Sequence, residues 1–530
     1  LSRSFLLSEA LTEDALAARL QALGVPVYGR GVPFSRLYLD TFDWRLHREG
    51  LVFEELIEGR SVKCLLRPAD GGAAVATLPG EAPRFARDLP PGPLRERLDP
   101  LLSPRALLPL AIVGGTALRL TLLSPGGGIV ARFLLERRAV LPIEGGRDFT
   151  LPTVITVTSG RGAAAASALL LGMPELRPVS ADLIGEILAP LGRRPRDYSG
   201  KVKVKLDPAM PARGAITAIL RNLLETMERN IPGLREDVDP EFLHDFRVAV
   251  RRTRSAIGQL KGVLPAATVA RFSGEFRWLQ EATGPTRDLD VYLLTFPALA
   301  ELVSPAHRRS LGPLLRHLGL RRAEAFAAMM RELDSQRLAR LLAGWRGVLD
   351  RPVPKRPGGT PNALLPVREI AGRRIGKLHR RALQEGSGIT ATSPATKLHE
   401  LRKTCKKLRY LLEFFQSVLD EEGAARFIGS LKGLQDNLGR IQDLQVEADS
   451  LVGYARELAK EGRVKPSAYL AMGMLVERLR EEQRVARHEF GKRFGEFGRA
   501  RNRRELRRLI KFQECALPEG APAAPDPAEG

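Results

Sequence analysis

The sequence predicts an α+β multidomain protein, with a β-rich N-terminal domain followed by an all-helical one. Three observations carry that reading. Short alternating apolar runs separated by Gly/Pro clusters dominate residues 1–192. Apolar residues at helical spacing dominate 212–513, and this second region repeats itself at an offset of 155 residues. A chain of 530 residues is also too long for one ordinary core.

In chain order, Thr12 followed by Glu13, Asp14, Ala15, Leu16, Ala18 and Leu20 reads as a capped helix with an acidic first turn. Strands are expected at Ser35 to Asp40, Ser61 to Arg67, Ile129 to Leu135 and Pro152 to Thr158, with turns at Asp70-Gly71-Gly72 and Gly126-Gly127-Gly128. Ala163 to Gly172 is an Ala/Leu-rich helix stopped by glycine. Residues 193–211, rich in Gly, Pro, Arg and Lys, read as a linker between a domain at 1–192 and one at 212–513. The Pro/Ala/Gly-rich tail 514–530 is expected to be disordered.

Residues 1–200 hold 24 basic and 21 acidic side chains, whereas 201–530 hold 59 and 40. The excess of about +19 in the second part is the footprint of a polyanionic partner: nucleic acid, anionic lipid or a phosphate polymer. No apolar stretch is long enough to span a membrane, and Leu1 to Ala10 carry no secretory signal, so a cytoplasmic protein is expected. A first residue other than Met suggests a trimmed start. Cys64, Cys405 and Cys515 are far apart with no CxxC, which excludes a disulfide scaffold and a cysteine-based zinc site.

The repeat sets Leu243 to Arg254 (LHDFRVAVRRTR) over Leu398 to Arg409 (LHELRKTCKKLR). The same register carries Leu279-Gln280-Glu281 onto Leu434-Gln435-Asp436, Gly284 onto Gly439 and Asp288 onto Asp443. A gap-free register over separated motifs predicts two similar bundles related by a pseudo-twofold. On a helix, His244, Arg247, Arg251 and Arg254 fall within an arc of roughly 80°, opposite Phe246, Thr253, Ile257 and Leu260. In the second copy His399, Arg402, Lys406 and Arg409 do the same, flanked by Lys403 and Lys407. Like charges stacked along a helix face are unfavourable unless an anion binds, and arginine can hold two phosphate oxygens at once. A cationic ridge for a polyanion is therefore preferred over a merely solvated basic face.

His244 and His399 begin the ridges without a second ligand at i+4, so among metal ligand, phosphoryl acceptor and protonatable donor to phosphate, the hydrogen-bond donor to a phosphate, or a structural helix-start residue, is preferred. Asp288 and Asp443 follow glycine-containing turns and are expected to open helices, as N-caps or as residues orienting a ridge arginine.

HDFRVAVRRTR, with the later TGPTRDLDV and its counterpart LGRIQDL, resembles the conserved histidine α-helical (CHAD) domain over about 212–512. The resemblance implies two pseudo-twofold related four-helix bundles around a basic groove and binding of inorganic polyphosphate. The contacts carried over are His244, Arg247, Arg251, Arg252 and Arg254, and His399, Arg402, Lys403, Lys406, Lys407 and Arg409. The N-terminal part, through Leu37 to Leu46 (LYLDTFDWRL) and Glu49-Gly50-Leu51, resembles a CYTH-type triphosphate tunnel, an antiparallel barrel-like fold. It departs from that family in three strands: Ser2 to Ser8 replaces Glu-x-Glu-x-Lys, Val52-Phe53-Glu54-Glu55 replaces an arginine-bearing strand, and Val154 to Thr158 replaces the late acidic strand. Too few carboxylates remain to hold the Mg²⁺ or Mn²⁺ of such triphosphatases.

The expectation is a non-catalytic polyphosphate-binding protein with no catalytic residue, metal or cofactor. Nucleic acid is expected to bind only non-specifically, no membrane is expected as a partner, and association with polyphosphate granules is left open. The rivals are a CYTH-type triphosphatase or polyphosphate hydrolase, for which Glu54 and Glu136 are the carboxylates to test, and a nucleic-acid-binding scaffold.

Overall fold

The computed structural model describes residues 3–510 apart from 9–10, 23, 30, 70–73, 142, 144–146, 180–182, 357, 391 and 463. The predicted disordered tail and the Asp70-Gly71-Gly72 turn lie outside the described residues. The chain forms two compact units, Leu1–Gly200 and Lys201–Gly530, which divide within the expected linker.

The first unit is an antiparallel ten-stranded sheet: β1 (Arg3–Leu7), β2 (Val25–Tyr28), β3 (Val32–Asp40), β4 (Leu51–Glu58), β5 (Ser61–Pro68), β6 (Ala76–Pro79), β7 (Leu108–Leu123), β8 (Ile129–Leu141), β9 (Phe149–Ser159) and β10 (Leu176–Pro178). Its strands are ordered β10-β1-β9-β8-β7-β3-β4-β5-β6, with β2 also on β7. Strand β7 is the spine, long enough to pair with β3 at one end and β2 at the other while β8 runs along its opposite edge. The Gly114-Gly115 step in β7 permits close packing on β8, since a Cβ at Gly115 would lie 1.9 Å from the Arg137 carbonyl oxygen. Helices α1 (Glu13–Leu20), α2 (Arg45–Arg48), α3 (Pro93–Leu102), α4 (Ala163–Leu171) and α5 (Leu183–Leu188) complete the unit. Thr12 caps α1 by accepting from Ala15 N at 3.2 Å, and α4 stops at Gly172, both as expected. Residues 193–200 belong here: Trp44 Nε1 donates to Asp197 at 3.0 Å, and Arg196 donates to His47 Nδ1 at 3.0 Å.

The second unit is helical: α6 (Ala212–Arg235), α7 (Pro240–Gln259), α8 (Ala266–Ala282), α9 (Gly284–Ala300), α10 (Pro305–Arg308), α11 (Gly312–Leu333), α12 (Gln336–Leu349), α13 (Val367–Ser387), α14 (Ala395–Phe414), α15 (Glu421–Glu461), α16 (Pro466–Phe497) and α17 (Ala500–Ile510). Helices α6, α7, α8 and α12 form one bundle around Phe272, Phe276 and Trp345, with the Phe272 and Trp345 ring centroids 4.7 Å apart. Helices α13, α14, α17 and the first half of α15 form its counterpart. A third core, which the repeat alone does not predict, joins the two halves. There α9 and α11 of one half pack with α16 and the second half of α15 around Phe296, Leu314, Leu451 and Leu475.

The pseudo-twofold is visible in the backbone. Ala212 N donates to Leu365 O at 2.8 Å and Val367 N donates to Met210 O at 2.9 Å, a reciprocal pair around the bridge between Pro211 and Pro366. All three pairs obey the 155-residue offset, so equivalent residues meet as at an isologous interface. One difference breaks the symmetry: Pro285, which has no N–H to extend a helix, separates α8 from α9, whereas its counterpart Arg440 lets α15 run on for 41 residues. Asp288 therefore lies inside α9 and Asp443 inside α15, and neither opens a helix as expected. A single glycine such as Gly439 costs a packed helix only about 1 kcal/mol, too little to end it. Among the described residues no helix is long and apolar enough to cross a membrane.

Candidate anion-binding site

Both signature motifs form the second helix of their bundle, and α7 packs directly on α14. The apolar positions fall inward as the periodicity requires: Phe246, Ala249, Val250 and Thr253 on α7, and Leu401, Thr404, Cys405 and Leu408 on α14, are buried. His244, Arg247, Arg251 and Arg254 are half-buried, as are His399, Arg402, Lys406, Lys407 and Arg409.

The two ridges meet through Arg251. Its Nε donates to Tyr410 Oη of α14 at 2.8 Å, and its charge acts on Arg247 in its own copy and on Lys406 in the other. Burial first, then Arg402 and Arg251 against a partial offset by Asp443, and finally Arg409, push Lys406 down to about 8. Burial likewise pushes Arg247 down to about 10, with Asp288 opposing and Arg251 and Arg287 adding to the shift. Arg254 is lowered by burial and by Arg277, against Glu281. These are cations crowded without full compensation. The Nε atoms of Arg247 and its equivalent Arg402 are both buried with no hydrogen-bond partner among the described residues.

Other ridge groups are held in place. Arg247 Nη1 donates to the Gln280 carbonyl and to Thr283 Oγ1, each at 2.7 Å, where the ladder between α8 and α9 is broken. Arg402 has no such break beneath it and reaches Asp443 Oδ1 at 3.2 Å instead. His399 Nδ1 lies 3.0 Å from Gln442 Oε1. Arg252 is buried and ion-paired to Glu413 at 2.8 Å, and Glu413 also takes Arg409 at 3.2 Å. Lys403 is exposed and paired with Glu400 at 2.6 Å.

Sequence reasoning named Asp288 as an N-cap or as a residue orienting a ridge arginine, and its charge acts on Arg247; it missed the counter-charges Glu413 and Glu281 and the added cations Arg277 and Arg287. Glu281, Arg277 and Arg287 lie on α8 or α9, outside the two ridge helices, and only their 3.6-residue spacing within those helices could have suggested that they face α7.

The first unit holds a second charged cluster, which is closed. Arg36 of β3 lies on one strand face with Phe34 and Tyr38 and is buried between Glu54 of β4, at 3.2 Å, and Glu136 of β8, at 2.7 Å. Glu54 is also bonded by Arg67. Burial pulls the Arg36 guanidinium down, but the fields of Glu54 and Glu136 more than reverse it, so its pKa lies well above the ordinary value. Around this network pack Val52, Leu56, Leu65, Val113 and Val140. With both carboxylates engaged by arginines, the donor set does not suit a divalent cation. Among the described residues no group of three or more His, Cys, Asp or Glu is placed to hold a metal. A cavity of about 920 Å³ in this unit is lined by His47, Glu186, Arg193, Arg194 and Arg196, and by neither Glu54 nor Glu136. Asp40, in the Tyr-x-Asp-Thr segment, accepts from Thr41, Leu46 and His47 backbone N–H groups at 2.6–2.9 Å and so fixes the turn into α2.

Residues 218–452 match the CHAD domain family. Among solved structures, the CHAD domain from the plant Ricinus communis is similar, at 25% identity and TM-score 0.45, covering 55% of this chain and 96% of its own. A Bacillus halodurans protein described as a candidate adenylate cyclase aligns at 17% identity and TM-score 0.22, covering 32% of this chain and 86% of its own. A Hippeastrum protein described as having a dominant triphosphatase activity aligns at 13% identity and TM-score 0.22, covering 32% and 84%. No curated protein matches the chain. The match spans both signature helices and their junction, and the chain therefore carries a CHAD domain at residues 218–452.

Proposed function

We propose that this protein binds inorganic polyphosphate on the joined ridges of α7 and α14 and performs no hydrolysis there. The observation that carries the reading is the junction at Arg251, which acts on Arg247 and Lys406 at once and makes two equivalent ridges one cationic track. A chain of phosphates can lie along such a track, each oxygen replacing water around a crowded guanidinium or ammonium. Tyr410, the aromatic packed among these cations, is buried, so the track offers no face on which bases could stack. That favours a phosphate polymer over single-stranded nucleic acid.

The non-enzymatic reading of the first unit rests on its internal ion pairs. Glu54 and Glu136, the carboxylates to test for a CYTH-type triphosphatase, are engaged by Arg36 and Arg67.

The test is a titration of long-chain polyphosphate and single-stranded DNA of matched charge against the full chain across salt concentrations, with phosphate release measured in Mg²⁺ and Mn²⁺. Polyphosphate should bind more tightly at every salt concentration, with no phosphate released. Equal affinities would favour a general nucleic-acid scaffold, and metal-dependent turnover abolished by Glu54→Gln or Glu136→Gln would favour the triphosphatase.

A further inference from the structure

Helix α17 carries a basic surface that the repeat does not account for. Its apolar side chains Leu506 and Leu509 are buried against the bundle, while Arg501, Arg503, Arg504, Arg507 and Arg508 are exposed. Among the described residues none of these five has a carboxylate partner; the helix's acid, Glu505, is bonded to Arg426 of α15 at 2.9 Å. The helix playing the same part in the first bundle is α12, which packs on α6 and α8 as α17 packs on α13 and α15. There the exposed arginines are largely neutralised: Arg337 pairs with Glu275 at 2.9 Å and Arg346 with Glu228 at 2.5 Å. The fold at this position thus does not require the charge.

The surface extends onto α13. Arg503 and Arg507 lie near enough to the buried His379 of that helix, together with Arg380, to reinforce burial in lowering it to about 4. Lys377 and Arg380 are exposed on the same helix. Because α14 and α17 each pack on α13 and α15, they stand across the bundle from one another. The α17 surface is therefore separate from the ridge on α14.

We propose that the α17 and α13 face is a second polyanion site, which takes the phosphate backbone of double-stranded nucleic acid without reading its sequence. Three features select that partner. The arginines are arrayed along a rigid helix, suited to a stiff line of phosphates whose counterions are released on contact. Among the described residues the patch is formed by arginines and a lysine without an exposed aromatic side chain, so it offers no stacking platform of the kind a single-strand binder uses. The large apolar side chains Leu506 and Leu509 of α17 are consumed by the bundle, so among the described residues the helix keeps no apolar face to insert into a lipid surface. Together with the ridge, this would let one chain hold a phosphate polymer and a duplex on opposite sides of one bundle.

The test uses the full chain and a duplex DNA of about 30 base pairs, long enough for the contacts expected of a backbone binder. Replacing Arg503, Arg504, Arg507 and Arg508 by Ala should weaken duplex binding at least tenfold, and should lower the slope of log K against log salt by about 3.6, at 0.9 per lost contact. Polyphosphate binding should stay within twofold, which also reports that the bundle is intact. Arg→Lys at the same four positions keeps the charge and should keep duplex binding. Arg247→Ala with Arg251→Ala and Arg254→Ala should leave duplex binding in place while testing the ridge separately. The proposal is overturned if the full chain does not bind the duplex at low salt or if the ridge variant removes duplex binding. Equal loss of both ligands in the four-alanine variant, failure of the Lys variant, or tighter α17-dependent binding to anionic vesicles would overturn it as well.

Discussion

Lys406 is the residue at which the proposed ligand and pH should meet. Its ammonium titrates near 8 because it is buried and lies among Arg402, Arg251 and Arg409. A bound polyanion favours the charged form and raises that value, so binding takes up a proton once the pH exceeds about 8. Affinity should then fall as pH rises from 8 towards 10, by at most about tenfold per unit for one proton. Lys406→Arg, charged throughout, should flatten the profile, and dissociation constants measured across this range would check it. The same group affects folding with the opposite sign. Its folded pKa lies below the unfolded one, so the folded state disfavours the proton and this residue's contribution to stability improves as pH rises between the two values. Arg36 poses a different residue-scale question, because its partners are buried carboxylates. Arg36→Met should destabilise the first unit by about 3–5 kcal/mol by leaving the buried Glu136 uncompensated and Glu54 with Arg67 alone. Arg36→Met combined with Glu54→Leu and Glu136→Leu should recover most of that loss in denaturant melts.

At the scale of the element, the two signature helices make a matched pair whose surroundings differ. Replacing Arg247, Arg251 and Arg254 by Ala should weaken polyphosphate binding and reduce its salt slope by about 0.7 per lost contact, by analogy with single strands. Replacing Arg402, Lys406 and Arg409 should do much the same. Either loss should cost more for a polymer long enough to span both ridges than for one that is not, because the second engagement is then intramolecular. Loss from one triple variant with none from the other would mean that the ridges do not share a track. The helices and the cationic stripe were legible in the sequence because a 3.6-residue period and a repeated motif are local signals. Of the carboxylates that trim the charge, Asp288 stood in the sequence as one of two alternatives, an N-cap or a partner of a ridge arginine, whereas Glu281 and Glu413 were not legible, since Glu281 reaches α7 from another helix and Glu413 reaches Arg252 across the two halves through tertiary packing. The Arg36 network was hidden for another reason. Alternation in β3 separates two faces of the strand but does not say which is interior, and an arginine reads by default as outward-facing. Likewise LGRIQDL looked like the start of a helix because it aligns with TGPTRDL, but only the latter contains the proline that ends one.

For the whole helical unit, symmetry governs the architecture and asymmetry governs its stiffness. Reciprocal bonds at Ala212 and Val367 fix the two halves about one axis, and the third core ties them together. In the second half α15 is a continuous rod of about 60 Å, running from the bundle into that core. In the first half the corresponding path is jointed at Thr283, and Arg247 fastens the joint through the Gln280 carbonyl and Thr283 Oγ1. The guanidinium proposed to grip phosphate is thus also the latch of a hinge. A ligand that draws Arg247 away should loosen one arm of the molecule and leave the other rigid, so that binding would be felt as a bend on one side only. Hydrogen exchange would register it: the amides around 284–288 should exchange faster with polyphosphate bound, and those around 439–443 should not change.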